Sequence, residues 1–164
     1  MNFHRPIQSS NNRVLAALLL AMICALAGGC EQSPAGMKVV TMRLGKRDFH
    51  LEVAVTSDQQ ETGLMKRDSM PEDHGMIFVF KDVEVRKFWM KDTRFPLDII
   101  FLDQGGKVVS VRRLKAYDRE TTSSIFPARY AIELNAGAAD AAGLKSGDLL
   151  TVPPEADSAK SSGS

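Results

Sequence analysis

Alternation of apolar and polar residues with a period of two is the feature that most restricts this chain. Phe49, Leu51, Val53 and Val55 interleave with Asp48, His50, Glu52 and Ala54, which is the pattern of a half-buried strand. Val40, Met42 and Leu44 supply its expected hairpin partner, with the turn at Gly45 and Lys46. A second hairpin is expected from Leu97-Asp98-Ile99-Ile100-Phe101-Leu102 and Lys107-Val108-Val109-Ser110-Val111, joined through Asp103-Gln104-Gly105-Gly106, whose glycines accept positive φ. Residues 76–80 are apolar on both faces and predict a central strand, and residues 130–134 and 148–152 bring the set to about seven short strands. Helix is scarce. Ser57 with Gln60 forms a capping box for one short helix ending near Gly63, and residues 136–142 form a second, closed by Gly143. The expected architecture is mainly β: a single antiparallel β-sandwich or distorted barrel, jelly-roll-like, with one or two short helices.

The first thirty residues are of a different kind. Arg5 and Arg13 precede an apolar stretch at 14–27, shorter than the roughly 20 residues of a membrane span and suited to a signal-peptide core. Leu26-Ala27-Gly28-Gly29-Cys30 then resembles a bacterial lipobox. That resemblance implies cleavage before Cys30, a diacylglyceryl thioether on its sulfur and acylation, as by palmitate, of its new amine. Ordinary secretion is the competing reading, since Ala25-Leu26-Ala27 also fits an A-x-A cleavage site. Residues 1–29 are thus expected to be a signal peptide and 30–36 a lipidated tether. Residues 37–152 form the domain, and 153–164 a disordered tail of Pro, Ser, Ala and charge. The expected location is the bacterial cell envelope, facing the periplasm or exterior, with the membrane as partner through the anchor; a soluble periplasmic or secreted form is the alternative. Cys24 leaves with the signal, so Cys30 alone remains and packing must hold the fold.

Composition narrows the function classes. The 21 Lys and Arg against 20 Asp and Glu leave no field to draw nucleic acid, which is not expected as a partner. No G-x-S-x-G elbow, phosphate loop or G-x-G-x-x-G is present. With His50, His74 and one cysteine left after cleavage, no His/Cys zinc site is expected, and no cofactor is implied. Copper(I) carriage by Met65, Met70, Met76 and Met90 stands as an alternative to their use as core filling.

Three further segments carry a family resemblance: Gly63-Leu64-Met65-Lys66-Arg67, Gly75-Met76-Ile77-Phe78-Val79-Phe80, and Phe88-Trp89-Met90-Lys91-Asp92-Thr93 with Pro96-Leu97-Asp98-Ile99-Ile100-Phe101. Together with Glu133-Leu134-Asn135-Ala136-Gly137, Gly143 and Gly147-Asp148, the chain over roughly 39–152 resembles domain-of-unknown-function family 192. The resemblance implies a mainly β, jelly-roll-like domain, often exported, and no established activity. Asp92 stands where the family usually has Asn, adding a negative charge beside Lys91.

A strand over 86–93 places Phe88, Met90 and Asp92 on one face and Lys87, Trp89, Lys91 and Thr93 on the other. Trp89 between two lysines presents an aromatic platform for a small molecule, a glycan or an envelope protein, and its alternative is packing under a loop. Arg67 is a candidate anion clamp or an ion-pair partner. Asp98, beside Ile100 and Leu102, needs a partner if buried. The ligand-binding candidates are therefore Arg67, Trp89, Lys91 and Asp98 in a binding or accessory module, with no catalytic residue assigned. An enzyme is the alternative, a hydrolase of envelope polymer using Asp98 or Glu133, which together would make a carboxylate pair for acid–base work. The lipobox gives a direct test. Mass spectrometry of the mature protein should find acylated Cys30 at its N-terminus, and an unmodified chain starting at Gly28 would contradict the lipoprotein reading.

Overall fold

The computed structural model describes residues 36–158 and Met1, so the signal segment, Cys30 and most of the tether lie outside the described residues. Strands β1 (Val39–Leu44) and β2 (Arg47–Ala54) form the expected hairpin, in register from Val39 opposite Glu52 to Leu44 opposite Arg47. Glycine is required at its turn. Gly45 has φ 56°, and a Cβ there would lie 2.2 Å from the Ala142 carbonyl oxygen. Helix α1 (Ser57–Thr62) begins one residue earlier than the sequence pattern indicated: Thr56 and Gln59 make the capping box, and Gly63 closes the helix.

Strand β3 (His74–Phe88) returns parallel to β2, while β6 (Thr122–Asn135) lies antiparallel to β3 on its other side. Strands β4 (Leu97–Leu102) and β5 (Val108–Leu114) form the second expected hairpin, and β4 also pairs with β6. The result is one six-stranded sheet of order β1-β2-β3-β6-β4-β5. It is mainly β but mixed rather than wholly antiparallel. Edges β1 and β5 are not joined to each other by a ladder among the described residues.

Two expectations about strands are corrected. Residues 148–152 contribute only an isolated bridge, Lys107 to Leu149. Two of the six strands are long, 15 residues in β3 and 14 in β6, because their paired ends continue beyond the core, through register shifts between Val79 and Glu84 and between Val85 and Lys87. Such irregularities break the period of two, which hid the extent of pairing.

Both faces of the sheet are covered. On one, Phe49, Leu51, Ile77, Ile100, Ile132 and Leu134 pack with helix α2 (Ala138–Ala142). Part of the expected disordered tail joins them: helix α3 (Pro154–Ser158) buries Ala156 completely, and Asp157 accepts a 3.0 Å hydrogen bond from the Tyr130 hydroxyl. On the other face, Met76, Phe78, Ile99, Phe101 and Ala131 pack with Leu64 and Met90 from flanking loops. The functional candidates divide between these two faces.

Candidate functional site

Beyond Val79 the extended arm of β3 carries a cluster of rings. Phe88 stands edge-on to Phe78 at 5.0 Å between centroids, and to Phe101 at 5.6 Å. Phe80 lies 6.3 Å from Phe88, and the Arg86 guanidinium sits 4.0 Å over the Phe80 ring. Phe78, Phe80, Phe88, Trp89, Thr93 and the C-terminal end of α1 line a cavity of about 420 Å³, whose wall also includes Glu133.

Glu133 is in this wall because of strand register. On β6 it lies opposite Met76 of β3 and Ile99 of β4, and Met76 in turn lies opposite Glu52 of β2, so the four occupy one row across the sheet. Met76 and Ile99 belong to the core on this face, and Glu133 is buried with them. Among the described residues no hydrogen bond to its carboxyl is formed, and its Oε2 lies 3.8 Å from where a Cβ on Gly63 would stand. Loss of hydration pushes this carboxyl up to about 8, and the charge of Arg67 opposes the shift.

Arg67 is already engaged. Its Nη atoms donate to the two carboxylate oxygens of Glu52 at 2.5 and 2.9 Å, and its pKa is raised chiefly by that bond and further by the charges of Glu52 and Glu133, against burial. The Glu52–Arg67 pair is buried on the Arg side to 20% exposure and on the Glu side to 9%. Period two had assigned Glu52 to the solvent side. That side is covered here because the loop after α1 brings Arg67 over the end of β2.

The four ligand-binding candidates do not form one site. Trp89 is 42% exposed and lines the cavity, with Lys91 Nζ 5.2 Å from its ring centroid. They are not presented by a strand, however. β3 stops at Phe88, the chain turns at Lys91 and Asp92, and Asp92 has φ 55°. Asp92 is consequently exposed rather than sharing the buried side with Met90, and Thr93 is buried rather than sharing the exposed side with Trp89. Arg67 is spent on Glu52 and does not flank Trp89 in the cavity wall.

Asp98 lies on the other face. It pairs with Leu134 in register, whereas Glu133 pairs with Ile99, so alternation sends the two carboxyls to opposite sides of the sheet. Asp98 is buried and accepts from the backbone N–H groups of Gly137 (2.8 Å) and Ala139 (3.1 Å) and from Arg113 Nε (2.9 Å). It caps α2, whose own N-cap residue, Gly137, has no side chain to do so. A joint acid–base role for Asp98 and Glu133 is excluded by this geometry. Of the methionines, Met76 and Met90 are buried in the core of the cavity face, Met70 packs against it, and Met65 lines the cavity. Phe80, Phe88 and Glu52 are the contributors that sequence reasoning passed over. An acid inside the apolar run Tyr130-Ala131-Ile132-Glu133-Leu134 was the available signal, since a central strand buries most of such a residue.

The comparisons with known proteins match this architecture. The pattern of family DUF192, described as an uncharacterised ACR, matches residues 39–152. The chain belongs to the DUF192 family. A Sinorhizobium meliloti 1021 protein described as a candidate transcription regulator is 33% identical, with a TM-score of 0.64 over 69% of this chain and 91% of its own. A protein of unknown function from Novosphingobium aromaticivorans DSM 12444 is 30% identical, with a TM-score of 0.67 over 77% and 94%. No curated protein matched the chain.

The buried carboxyl of this DUF192 domain makes stability depend on pH in a definite direction. Below the ordinary value of 4.5 both folded and unfolded chains hold the proton, and Glu133 contributes no slope. Between 4.5 and about 8 the unfolded chain releases it while the folded one keeps it, so stability falls as pH rises, and above 8 the penalty is constant. Glu133→Gln removes this penalty. The melting temperature of the variant should exceed that of the parent by an amount that grows from pH 4.5 to 8, and parallel curves for the two proteins would contradict the assignment.

Proposed function

We propose that this DUF192 domain is a binding module for a small molecule, seated in the cavity beside Trp89 and carried at the bacterial envelope by lipidated Cys30. The envelope part of the proposal rests on the lipobox resemblance at 26–30. The binding part rests on one observation. The cavity of about 420 Å³ falls in the range of ligand pockets, about 300–1,000 Å³, and joins an aromatic wall to a few polar groups.

The parts of the cavity suit recognition rather than mere packing defects. Phe80, Phe88 and Trp89 offer ring surface, and the partial exposure of Trp89 leaves the indole open to solvent and to a ligand. Lys91 Nζ lies 5.2 Å from the indole centroid. The pairing of Asp98 with Glu133 for catalysis is not available, because Asp98 is committed to α2 on the opposite face. Glycans and envelope proteins remain within the proposal as larger molecules that present a small group to the same cavity.

Calorimetric titration of the mature protein with three small aromatic probes, benzyl alcohol, benzyltrimethylammonium and phenylacetate, tests this reading. At least one should bind saturably. Trp89→Ala should weaken that binding by roughly 5- to 150-fold, the equivalent of about 1–3 kcal/mol of ring stacking, while leaving the melting temperature nearly unchanged. Absence of binding by all three, or undiminished binding to Trp89→Ala, would overturn it.

A further inference from the structure

We propose that the bend of the β3–β6 ribbon is a second membrane contact, an apolar tip of Val83, Val85, Ile125 and Phe126 that enters the interface of the bilayer holding the lipid anchor. This inference rests on the envelope part of the reading above, not on the cavity, and adds a docking surface to it.

The register of β3 against β6 locates the tip. Between the pairs Val79–Tyr130 and Glu84–Ala128, β3 carries four residues, Phe80 to Val83, against one on β6. Between Val85–Pro127 and Lys87–Ser123 the excess is reversed, and β6 carries three residues, Ser124 to Phe126, against one on β3. Each strand therefore bulges once and the ribbon folds back, so that Phe88 comes to rest against Phe78 and Phe101. The apolar residues at the fold are uncovered: Val83 is 40% exposed, Val85 47%, Ile125 51% and Phe126 57%.

This exposure is held in place by the structure. Ile125 has φ 67°, a left-handed conformation that a β-branched residue avoids. Three serines fix it there. The Ile125 N–H donates to Ser123 Oγ at 3.1 Å, and the Ser124 hydroxyl donates to the Phe126 carbonyl at 2.6 Å while accepting from the Arg86 N–H at 2.9 Å. Ser110 on β5 donates to the Ser124 carbonyl at 2.9 Å, and Ser124 is completely buried. The polar atoms of the turn are thus satisfied inside the domain, and an isoleucine and a phenylalanine are what it presents to solvent.

The occupant follows from where the chain enters the domain. β2 ends at Ala54, opposite Phe78, just before the ribbon bends. β1 begins at that same end, with Val39 opposite Glu52 and the Lys38 carbonyl accepting from the Val53 N–H. The bend and the first residues of the domain therefore lie at one end of the sheet, and the turn at Gly45 lies at the other. The seven residues 30–36 span at most about 25 Å, so an anchor at Cys30 keeps the bend's end of the sheet close to the lipid surface in every orientation of the domain. Such a tether makes the second contact intramolecular, and a few inserted side chains then suffice where they would fail on a free domain. Lys81 and Lys87 are exposed on either side of the tip, with stems long enough to leave their ammonium groups among the headgroups. A partner protein could cover the same side chains, but the position of the bend at the anchored end favours the bilayer.

The test uses the mature acylated protein in vesicles of phosphatidylethanolamine and phosphatidylglycerol. Cleavage removes Cys24 and acylation blocks Cys30, so Glu84→Cys, at a side chain 66% exposed within the bend, supplies the only free thiol for an environment-sensitive fluorophore. Spin-labelled lipid should quench that fluorophore at least about threefold more than the same label on Glu72→Cys, which lies beside the start of β3 at the opposite end. Ile125→Ser combined with Phe126→Ser should lower the signal at Glu84→Cys to the Glu72→Cys level and leave the melting temperature nearly unchanged. Equal quenching at the two positions, or a signal that survives the double substitution, overturns the membrane contact and leaves the anchor standing. Shielding of the Glu84→Cys label in native envelope membranes but not in protein-free vesicles would identify a protein partner and overturn it as well. If mass spectrometry finds Cys30 without acyl chains, the envelope reading fails and this inference with it.

Discussion

The antiparallel ladder between β3 and β6 is the constraint on which the rest of the molecule depends. It lies in the middle of the six-stranded sheet, it joins the parallel β2 side to the antiparallel β4 side, and both of its faces are covered. Because side chains on a strand alternate, this pairing decides which core each residue of β6 enters. Ile132 and Leu134 go to the face of α2 and α3, and Glu133 between them goes to the face of Met76 and Ile99. A carboxyl is thereby held in an apolar layer. A slip of one residue would exchange the two faces and expel Glu133 from the cavity, so the site is a consequence of register rather than of a loop.

That carboxyl also explains why the neighbouring groups are arranged as they are. Arg67 is near enough to influence Glu133 but gives both of its forked hydrogen bonds to Glu52. The pair is itself largely buried, and the rings of Phe78, Phe80 and Phe88 pack against one another in the wall of the same cavity. Among the described residues this carboxyl has no hydrogen-bond partner, and its burial costs stability above the ordinary carboxyl range. Such groups are characteristic of sites that bind or react. Asp98 shows the contrasting case, a buried carboxylate whose oxygens are all occupied in joining β4 to α2 and Arg113.

Much of the fold was legible because local chemistry and final structure agree. The glycine turn at 45–46, the Asp103–Gly106 connection, the apolar run at 76–80 and the capped helix before Gly63 depend on neighbours in sequence, and all reappear. What was not legible depends on distant partners. The outer arm of β3 is polar and exposed, so its pairing with residues 122–128 left no periodic trace. Ala156 is a small residue in a polar tail, and only the presence of the sheet explains its burial. The alternation through Trp89 failed at one point, the left-handed Asp92, which turns the chain where a strand reading would continue it. The candidate site was legible in single residues, Trp89 above all, but not in its assembly. Gly63, Phe88 and Glu133 come from three elements far apart in the chain, and no spacing rule links them.

The account rests on Glu133 being neutral inside the folded domain at neutral pH. The direct measurement is a pH titration of its side-chain carboxyl carbon by NMR, in protein labelled with ¹³C-glutamate and assigned by comparison with Glu133→Gln. The account predicts an inflection near 8, well above the ordinary carboxyl value of 4.5. An inflection near 4.5 would mean that the carboxyl is hydrated or paired in the folded state, and would contradict the account at its centre.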